Sequence, residues 1–541
     1  MPLDVLVTGG RVATLAGEHD FGWVEAVGIR GGRVAFAGSA VELETRADPH
    51  TLRIELEPGE IAIPGLIDAH LHLIDAAISA EEIDLTGAAT LDAGLAKLAA
   101  AHTALPHGSW LLGAGWDQRR WGRWPTADDL EGVAAGRPVA LWSFDHHAVW
   151  TSRAGLAIGG IDAATPDPDG GIIRRGPDGA PEGVLLENAC GLVFRHVPDP
   201  TPDEVRRLVA AMGRRLAGLG VVGVHDPGTV SADSDLAAFD AYAAMADAGE
   251  LPIRVHACLR SEGLELAAAR GHRSGERLGA SPESRATVGW LKLFADGTLG
   301  SQTAALLDPR TGTTDDRGVF RMPPELLRDL AERAAELGIA SQIHAIGDAA
   351  ARAALDTLEP TVGRVALMPR VEHVQLLHPD DLGRFAAAGI AASVQPVHLR
   401  EDAATARRDW GERAEAWAYP WRSLLESGAV LAFGTDAPVE PIDPWPGIAM
   451  AVLRRDPGWG SDAPAFGPNE GLTLEQALRA ASIGPATTAG EPERGRLVPG
   501  APADLIVLPA TPREPGDEGP PSFADVRPRL VMIDGEVAFE D

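Results

Sequence analysis

The sequence predicts an α/β fold: a (β/α)8 barrel with a small β-sandwich formed by both chain termini and a large insertion after the first barrel strand. Three observations support this prediction. Short apolar strands alternate with helical segments through the middle of the 541-residue chain, which is the pattern of parallel βα units. Alternating strands punctuated by Gly pairs occur at both ends, and a His-x-His pair closes one strand.

The barrel strands are read from short apolar runs separated by helical runs, several of which end in the glycine expected just past a helix C-terminus. Eight such units are the number that closes a barrel of ordinary size. The predicted strands are 61–70, 221–226, 252–259, 288–296, 339–346, 370–377, 390–396 and 430–437.

The terminal segments 1–60 and 495–541 have strand–turn–strand patterns, and we expect them to combine into one discontinuous β-sandwich. The barrel domain then spans 61–494. The stretch 74–203 is far too long for one crossover, so it is predicted to hold an inserted subdomain of mixed helix and strand. A second long excursion, 297–322, follows the fourth strand.

Composition excludes several classes of function. The chain has 47 basic and 78 acidic residues, a net charge of −31, which disfavours nucleic acids and anionic membrane surfaces as partners. No apolar run reaches the length of a membrane span, and the N-terminus lacks the basic region of a secretion signal. Two cysteines cannot make a disulfide scaffold for a chain of this length, and these features together predict a cytoplasmic protein. The expected partner is a small-molecule substrate. The oligomeric state is left open, with a homodimer as one alternative.

Catalytic groups in a barrel sit at the C-terminal ends of its strands. Six metal-competent side chains fall there, on five of the eight predicted strands. They are His70, His72, Lys292, His344, His373 and Asp436. In the first strand the two histidines are two residues apart, so both can face the same side and reach one cation.

Each of these residues also has a structural interpretation, because a single histidine on a strand is more often a packed residue than a ligand. The complete set is harder to assign to packing. Lys292 adds weight, since only two of the 47 basic residues are lysines and this one lies in an apolar strand. Lysine can lose its proton when buried, whereas arginine remains charged. The other, Lys97, fits a solvated helix surface.

Five segments together resemble the amidohydrolase superfamily, and more narrowly its amidohydrolase-3 branch, which includes N-substituted formamide deformylases. The segments are PGLIDAHLHL, LKLFADGTLGSQTAALLDP, QIHAIGDAA, VEHVQL and FGTDAPV. The resemblance covers nearly the whole chain, and its branch-specific part is the DGTLGSQTAAL loop.

The resemblance implies a binuclear metal centre. His70, His72 and Asp436 would bind the more buried ion, His344 and His373 the more exposed one, and Lys292, carboxylated on its amine, would bridge the two. Zinc suits these ligands, with manganese, iron or cobalt as alternatives. A metal-activated hydroxide would then attack the carbonyl carbon of an amide or N-substituted formamide, and Asp436 would pass the proton to the leaving nitrogen.

The resemblance also suggests polar residues that orient the substrate, which are Asp117, His147, Gln302 and His398. Trp116 lies in the insertion, a segment expected to overhang the barrel mouth, and it either contacts a small hydrophobic substrate or packs the insertion. Other tryptophans near strand eight either line the pocket or pack the surrounding segments. Arg310 stands where relatives commonly carry an aromatic residue and would favour an anionic group if its loop lined the pocket.

Related deaminases carry a glutamate three residues after the fifth-strand histidine, but here Gly347 occupies that position. Deamination is therefore disfavoured. The next residue, Asp348, is either an orienting partner of a ligand histidine or a helix N-cap. His225 and His256 are reserves as accessory polar residues.

The favoured function is a metal-dependent hydrolase of carbon–nitrogen bonds. An esterase, a lactonase or a cyclic-amide hydrolase is the alternative on the same site, because an activated water attacks any polarised carbonyl. A catalytically silent binding scaffold is the alternative from another class.

Overall fold

Eight parallel strands, each hydrogen-bonded to the next in chain order, form the central sheet of the computed structural model. All of their residues are buried except Thr287 and Phe294, as expected for parallel strands covered on both faces. The strands are β1 (Leu66–Asp68), β2 (Val221–Asp226), β3 (Arg254–Arg260), β4 (Ala286–Phe294), β5 (Ser341–Ala345), β6 (Arg370–His373), β7 (Ala391–Val394) and β8 (Leu431–Phe433).

The sheet closes between its first and last strands. The amide of Ala69 donates to the carbonyl of Phe433 at 2.8 Å, and the amide of Asp436 donates to the carbonyl of His70 at 2.6 Å. Gly434 lies at this junction, where a Cβ atom would come within 2.6 Å of the His70 nitrogen. The predicted (β/α)8 barrel is confirmed.

Helices accompany the barrel strands, and some of them bury a single stripe of residues. In Pro202–Gly218, for example, Leu208, Met212 and Leu216 are buried at four-residue spacing, which is the spacing of one helical face. The α-helices of this part of the chain are Leu73–Ser79, Pro202–Gly218, Ala237–Asp247, Leu264–Ala269, Pro324–Glu336, Asp348–Leu358, Pro379–Leu382, Arg384–Ala388, Leu399–Trp410, Glu412–Trp417, Trp421–Glu426, Trp445–Leu453, Leu474–Ala480 and Ile483–Thr488.

The chain termini form two further sheets that share a core of valine, leucine and isoleucine, so the predicted β-sandwich is confirmed. One sheet has the order Arg33–Gly38, Ala26–Arg30, Val5–Thr8 and Leu52–Glu55; the other has the order Glu536–Glu540, Leu530–Ile533, Leu505–Leu508, Ile61–Pro64, Arg11–Ala13 and Trp23–Val24. A short helix, Ala40–Glu44, accompanies the first sheet.

The predicted strand 61–70 is two strands with different partners. Ile61–Pro64 pairs antiparallel with Leu505–Leu508 in the sandwich, and Leu66–Asp68 enters the barrel beside β2. Gly65 separates them, and a Cβ there would come within 2.5 Å of the Val222 side chain. Because both halves are apolar and buried, hydrophobicity alone could not reveal the change of sheet.

The chain divides into two compact units: residues up to Ala76 with Arg206–Asp541, and Ala77–Val205; the sequence predicts the insertion over 74–203. The second unit holds a six-stranded sheet and its own helices. The sheet order is Gly171–Arg175, Pro181–Glu187, Ala148–Thr151, Val139–Ser143, Leu111–Trp116 and Ile83–Asp84; the helices are Leu91–Ala104, Gln118–Trp121, Ala127–Ala134, Arg153–Ile158 and Gly191–Phe194.

The structure describes residues 2–106, 108–143, 148–168, 171–228, 236–460, 462–510 and 526–541. Within these ranges no helix has both the length and the apolar character needed to cross a bilayer.

A buried ion pair joins the start of β3 to the terminal sandwich. Arg254 donates to both carboxylate oxygens of Asp504, at 2.8 and 3.1 Å, and each residue is less than 10% exposed. We expect Arg254→Met to lower the free energy of unfolding by about 3–5 kcal/mol, because it leaves a buried carboxylate without its main partner. Urea unfolding would measure this loss.

The control for this variant is Arg333→Met, which breaks the exposed pair with Glu265. Exposed pairs contribute little to stability, so this variant should unfold close to wild type. Equal destabilisation by the two variants would contradict a special role for the buried pair.

Candidate metal centre

All six predicted ligands line one cavity of about 480 Å³ at the C-terminal ends of the barrel strands. They reach it from β4, β5, β6 and the segments just after β1 and β8. The volume lies in the range of small-molecule sites. The cavity is lined by His70, His72, Lys292, Phe294, Asp296, Gly297, Thr298, Leu299, Gly300, Arg321, His344, Ile346, His373, Gln375, His398, Glu401, Asp402, Asp436, Val439 and Glu440.

Three of these side chains already converge as metal ligands do. His70, His373 and Asp436 each offer an atom that lies within 4.8 Å of the other two. The Asp436 Oδ1 atom is 3.4 Å from Nε2 of both His70 and His72. Nδ1 of His373 is buried and has no hydrogen-bond partner within the described residues. Nitrogen and carboxylate donors at this spacing fit a divalent cation.

Two of the three ligands sit on unusual backbone. His373 has φ +73° and Asp436 has φ +63°, in the left-handed region that side chains other than glycine rarely adopt. Such conformations cost about 1–3 kcal/mol each and persist where the surrounding structure enforces them. The strained backbone therefore occurs at two of the three residues that converge as candidate metal ligands.

A buried carboxylate orients His70. Its Nδ1 atom lies 2.6 Å from Oε2 of Glu372, and because a carboxylate only accepts, Nδ1 carries the proton and Nε2 is free to face the cavity. Arg370 lies 2.7 Å from the other Glu372 oxygen. Burial raises the pKa of Glu372, but Arg370 and His70 outweigh it and hold the pKa at about 2.

Sequence reasoning missed both Glu372 and Arg370. The sequence does contain an indication of both, because two charged residues within one short buried strand of four residues are as unexpected as the buried Lys292. Arg370 also contacts His225 Nδ1, at 2.8 Å, and the ring of His225 lies against that of His256. The two reserve histidines thus belong to the packing beneath the site.

His72 is oriented in the same way, with Nδ1 2.6 Å from the carbonyl oxygen of Gly228. Lys292 is fully buried, and burial lowers the pKa of its amine to about 8. The Lys292 Nζ atom lies 3.3 Å from Nε2 of His70. The lysine therefore stands next to the converging ligands.

His344 is held by the loop after β4. Its Nε2 atom is 3.0 Å from the carbonyl oxygen of Gly297, and its ring lies 4.5 Å from that of His373. Asp348 does not perform either predicted role: it is the first residue of its helix, after the N-cap Gly347. Its carboxylate instead accepts from the amide of Leu307 at 2.9 Å, which fastens the 297–322 loop.

Comparison with known proteins agrees with this geometry. The sequence model of the amidohydrolase family matches residues 58–539. This chain belongs to the amidohydrolase family. The donor cluster and the family membership agree on a metal-dependent hydrolase.

Several known proteins are similar to this amidohydrolase over most of its length. Protein LONG AFTER FAR-RED 3 of Arabidopsis thaliana is 33% identical, covering 93% of this chain and 87% of the relative. The N-substituted formamide deformylase of Arthrobacter pascens is 27% identical, covering 99% and 98%. The crystal structure of an uncharacterized metal-dependent hydrolase from Pyrococcus horikoshii OT3 has a TM-score of 0.77 and 27% identity, covering 93% and 97%.

Among the predicted substrate contacts, His398 lines the cavity of the amidohydrolase. Its Nε2 atom is 3.1 Å from Oδ2 of Asp436, and its Nδ1 atom is 3.4 Å from Glu440. Gln302 is not among the residues lining this cavity and donates to Asp409. Arg310 forms an ion pair with Asp316 in a small separate cavity, so its charge is already matched.

The remaining predicted contacts belong to the insertion. Trp116 is fully buried, and its indole donates to the carbonyl of Leu141 at 2.8 Å, so it offers no surface to a substrate. Asp117 caps the helix Gln118–Trp121. His147 lies outside the described residues.

The tryptophans near β8 pack the fold. Trp410, Trp421 and Trp445 are at most 2% exposed, and in the part of the chain that the structure describes no tryptophan lines the cavity. The packing interpretation is therefore the correct one for these three, and the apolar surface of the cavity comes instead from Phe294, Leu299, Ile346 and Val439.

We expect Glu372→Gln to weaken metal binding by about 10- to 100-fold, the usual effect of losing a carboxylate behind a ligand histidine. Competition with a chromogenic chelator would measure it. The control is Glu60→Gln, another buried glutamate with an arginine partner, which should bind metal as wild type does. Unchanged affinity in Glu372→Gln would contradict the orienting role.

We expect Lys292→Met to stabilise the metal-free protein at pH 7 while it loses metal binding. Below pH 8 the buried amine is protonated in both the folded and unfolded states, so the folded state carries the full cost of burying that charge. At about 1.4 kcal/mol per pKa unit, the gain should be on the order of 3 kcal/mol.

This gain should shrink as the pH rises from about 8 towards 10.5, where the unfolded amine also loses its proton. Chemical unfolding of both metal-free proteins at pH 7 and pH 10 would test it. A stability difference that does not change with pH would show that packing, not charge, is responsible.

Proposed function

We propose that this amidohydrolase hydrolyses a C–N bond of a small amide or N-substituted formamide. The observation that carries the proposal is the convergence of His70, His373 and Asp436 in a cavity of about 480 Å³. The formamide deformylase among its relatives supports the choice of an amide bond.

We further propose two zinc ions, with His70, His72 and Asp436 holding one and His344 and His373 the other. Manganese, iron and cobalt are alternatives with the same ligands. Such a centre, when loaded, polarises a carbonyl and lowers the pKa of water. A protonated Lys292 beside His70 would repel cations. Its neutral amine, made accessible because burial lowers the pKa to about 8, would combine with CO₂ and release a proton, giving an anionic carbamate that would supply a further oxygen ligand.

Side chains of the protein would then transfer the proton and position the substrate. Asp436 would accept at Oδ2 a proton from the attacking water and release it to the leaving nitrogen as the C–N bond breaks. The imidazole of His398, 3.1 Å from that oxygen, holds the carboxylate in place. The apolar surface of Phe294, Leu299, Ile346 and Val439 would exclude water from the carbonyl's substituents.

A hydrolysis screen tests the proposal on N-substituted formamides, acyl amides, lactones and aryl esters. We expect C–N cleavage that a chelator abolishes and zinc restores. Asp436→Asn should lose at least about 10²-fold in kcat, since a positioned proton acceptor contributes on the order of 10²–10⁴.

The control is Asp409→Asn, whose carboxylate lines the separate small cavity and should leave the rate unchanged. Faster hydrolysis of esters or lactones than of every amide would overturn the proposed bond class. A zinc-loaded protein that hydrolyses nothing would favour the binding scaffold.

A further inference from the structure

Among the described residues the cavity wall is unbalanced in charge, because its carboxylates have hydrogen-bond or ion-pair partners and two nearby arginine side chains have none. Apart from the metal ligand Asp436, each acidic side chain is satisfied. Asp296 accepts from three backbone amides, Asp402 accepts from Gln375 and Tyr419, and Glu401 and Glu440 both pair with Arg400.

The unmatched cations are Arg260 and Arg321, which surround the aromatic ring of Phe294. Their guanidinium carbons lie 4.5 and 4.7 Å from the ring centroid, within the range of a cation–π contact. Within the described residues neither guanidinium has a hydrogen-bond acceptor or an ion-pair partner. Arg321 and Phe294 both line the catalytic cavity.

Arg260 is directed to the same side of the barrel wall as the predicted metal ligand Lys292. It ends β3, and its partner in the β3–β4 register is Lys292, so the two side chains leave the sheet on one face. Arg260 is only 9% exposed, and its Nη1 atom is buried without a hydrogen-bond partner. Burial lowers the pKa of this guanidinium, and the negative charges of Glu262 and Asp75 offset that effect only in part. A buried charge that has no ion-pair partner within the described residues is costly, which favours the binding of an anion here.

We infer that Arg260 and Arg321 bind an anionic group on the substrate, such as a carboxylate, next to the ring of Phe294. The inference concerns the substrate of the same cavity and rests on the proposed function. The guanidinium forks match the planar oxygens of such a group, while the ring contacts the adjoining carbon chain. The preferred substrate is then an amide with an acidic substituent, not a wholly hydrophobic one.

Equilibrium binding of three probes that no hydrolase of this class cleaves would test the subsite. They are 4-phenylbutyrate, 3-phenylpropylphosphonate and the neutral 4-phenylbutan-1-ol, titrated by calorimetry into the zinc-loaded protein. We expect at least one anion to bind about 10- to 100-fold more tightly than the alcohol, the size of a charge-assisted contact. The tighter anion identifies the chemistry of the subsite.

Two variants test whether the arginines provide the preference for the anion. Arg321→Gln should remove most of the preference for the anion, and because this side chain is exposed, its loss should not unfold the protein. Arg260→Met keeps the side-chain length and should act in the same direction. The matched control is Arg317→Gln, in the same loop but not among the residues that line the cavity, which should keep the wild-type preference.

The outcomes separate this inference from the proposed reaction. Anion binding that depends on Arg321 supports the subsite even if no amide is hydrolysed. Equal affinity for the anions and the alcohol overturns it even if amides are hydrolysed. Anion binding that survives both arginine variants would place the anion on the metal and also overturns it.

Discussion

The closure of the barrel between β1 and β8 is the constraint on which the site depends. Two backbone hydrogen bonds join segments that are more than 360 residues apart, and one of them runs from the Asp436 amide to the His70 carbonyl. Asp68 reinforces the junction by accepting from the backbone amide and the hydroxyl of Thr435. Without this closure the carboxylate and the His-x-His pair would not meet.

The site assembled at this junction is built from groups that oppose folding. Lys292 is a buried amine, Glu372 and Arg370 are fully buried charges, and His373 and Asp436 have left-handed backbone. Such features are retained where the rest of the structure can hold them in place. Here the parallel sheet around them supplies that support.

The positions of the ligand candidates could be predicted because barrel enzymes carry their functional side chains at the C-terminal ends of the strands, and the six candidates do line one cavity. The roles of Trp116, Gln302 and Asp348 could not be predicted, because each depends on a neighbour distant in sequence. The same holds for Arg260, which has no ion-pair partner within the described ranges, because this depends on surroundings that the sequence does not show.

The sequence by itself determined the eight βα units, the terminal sandwich and the metal-competent residues, because periodicity and residue type are local properties of the chain. Tertiary structure decided which sheet Ile61–Pro64 joins, which carboxylate orients His70, and which charges of the cavity remain unmatched. Those outcomes depend on through-space distances between segments hundreds of residues apart, and electrostatic and hydrogen-bond energies follow distance, not order along the chain.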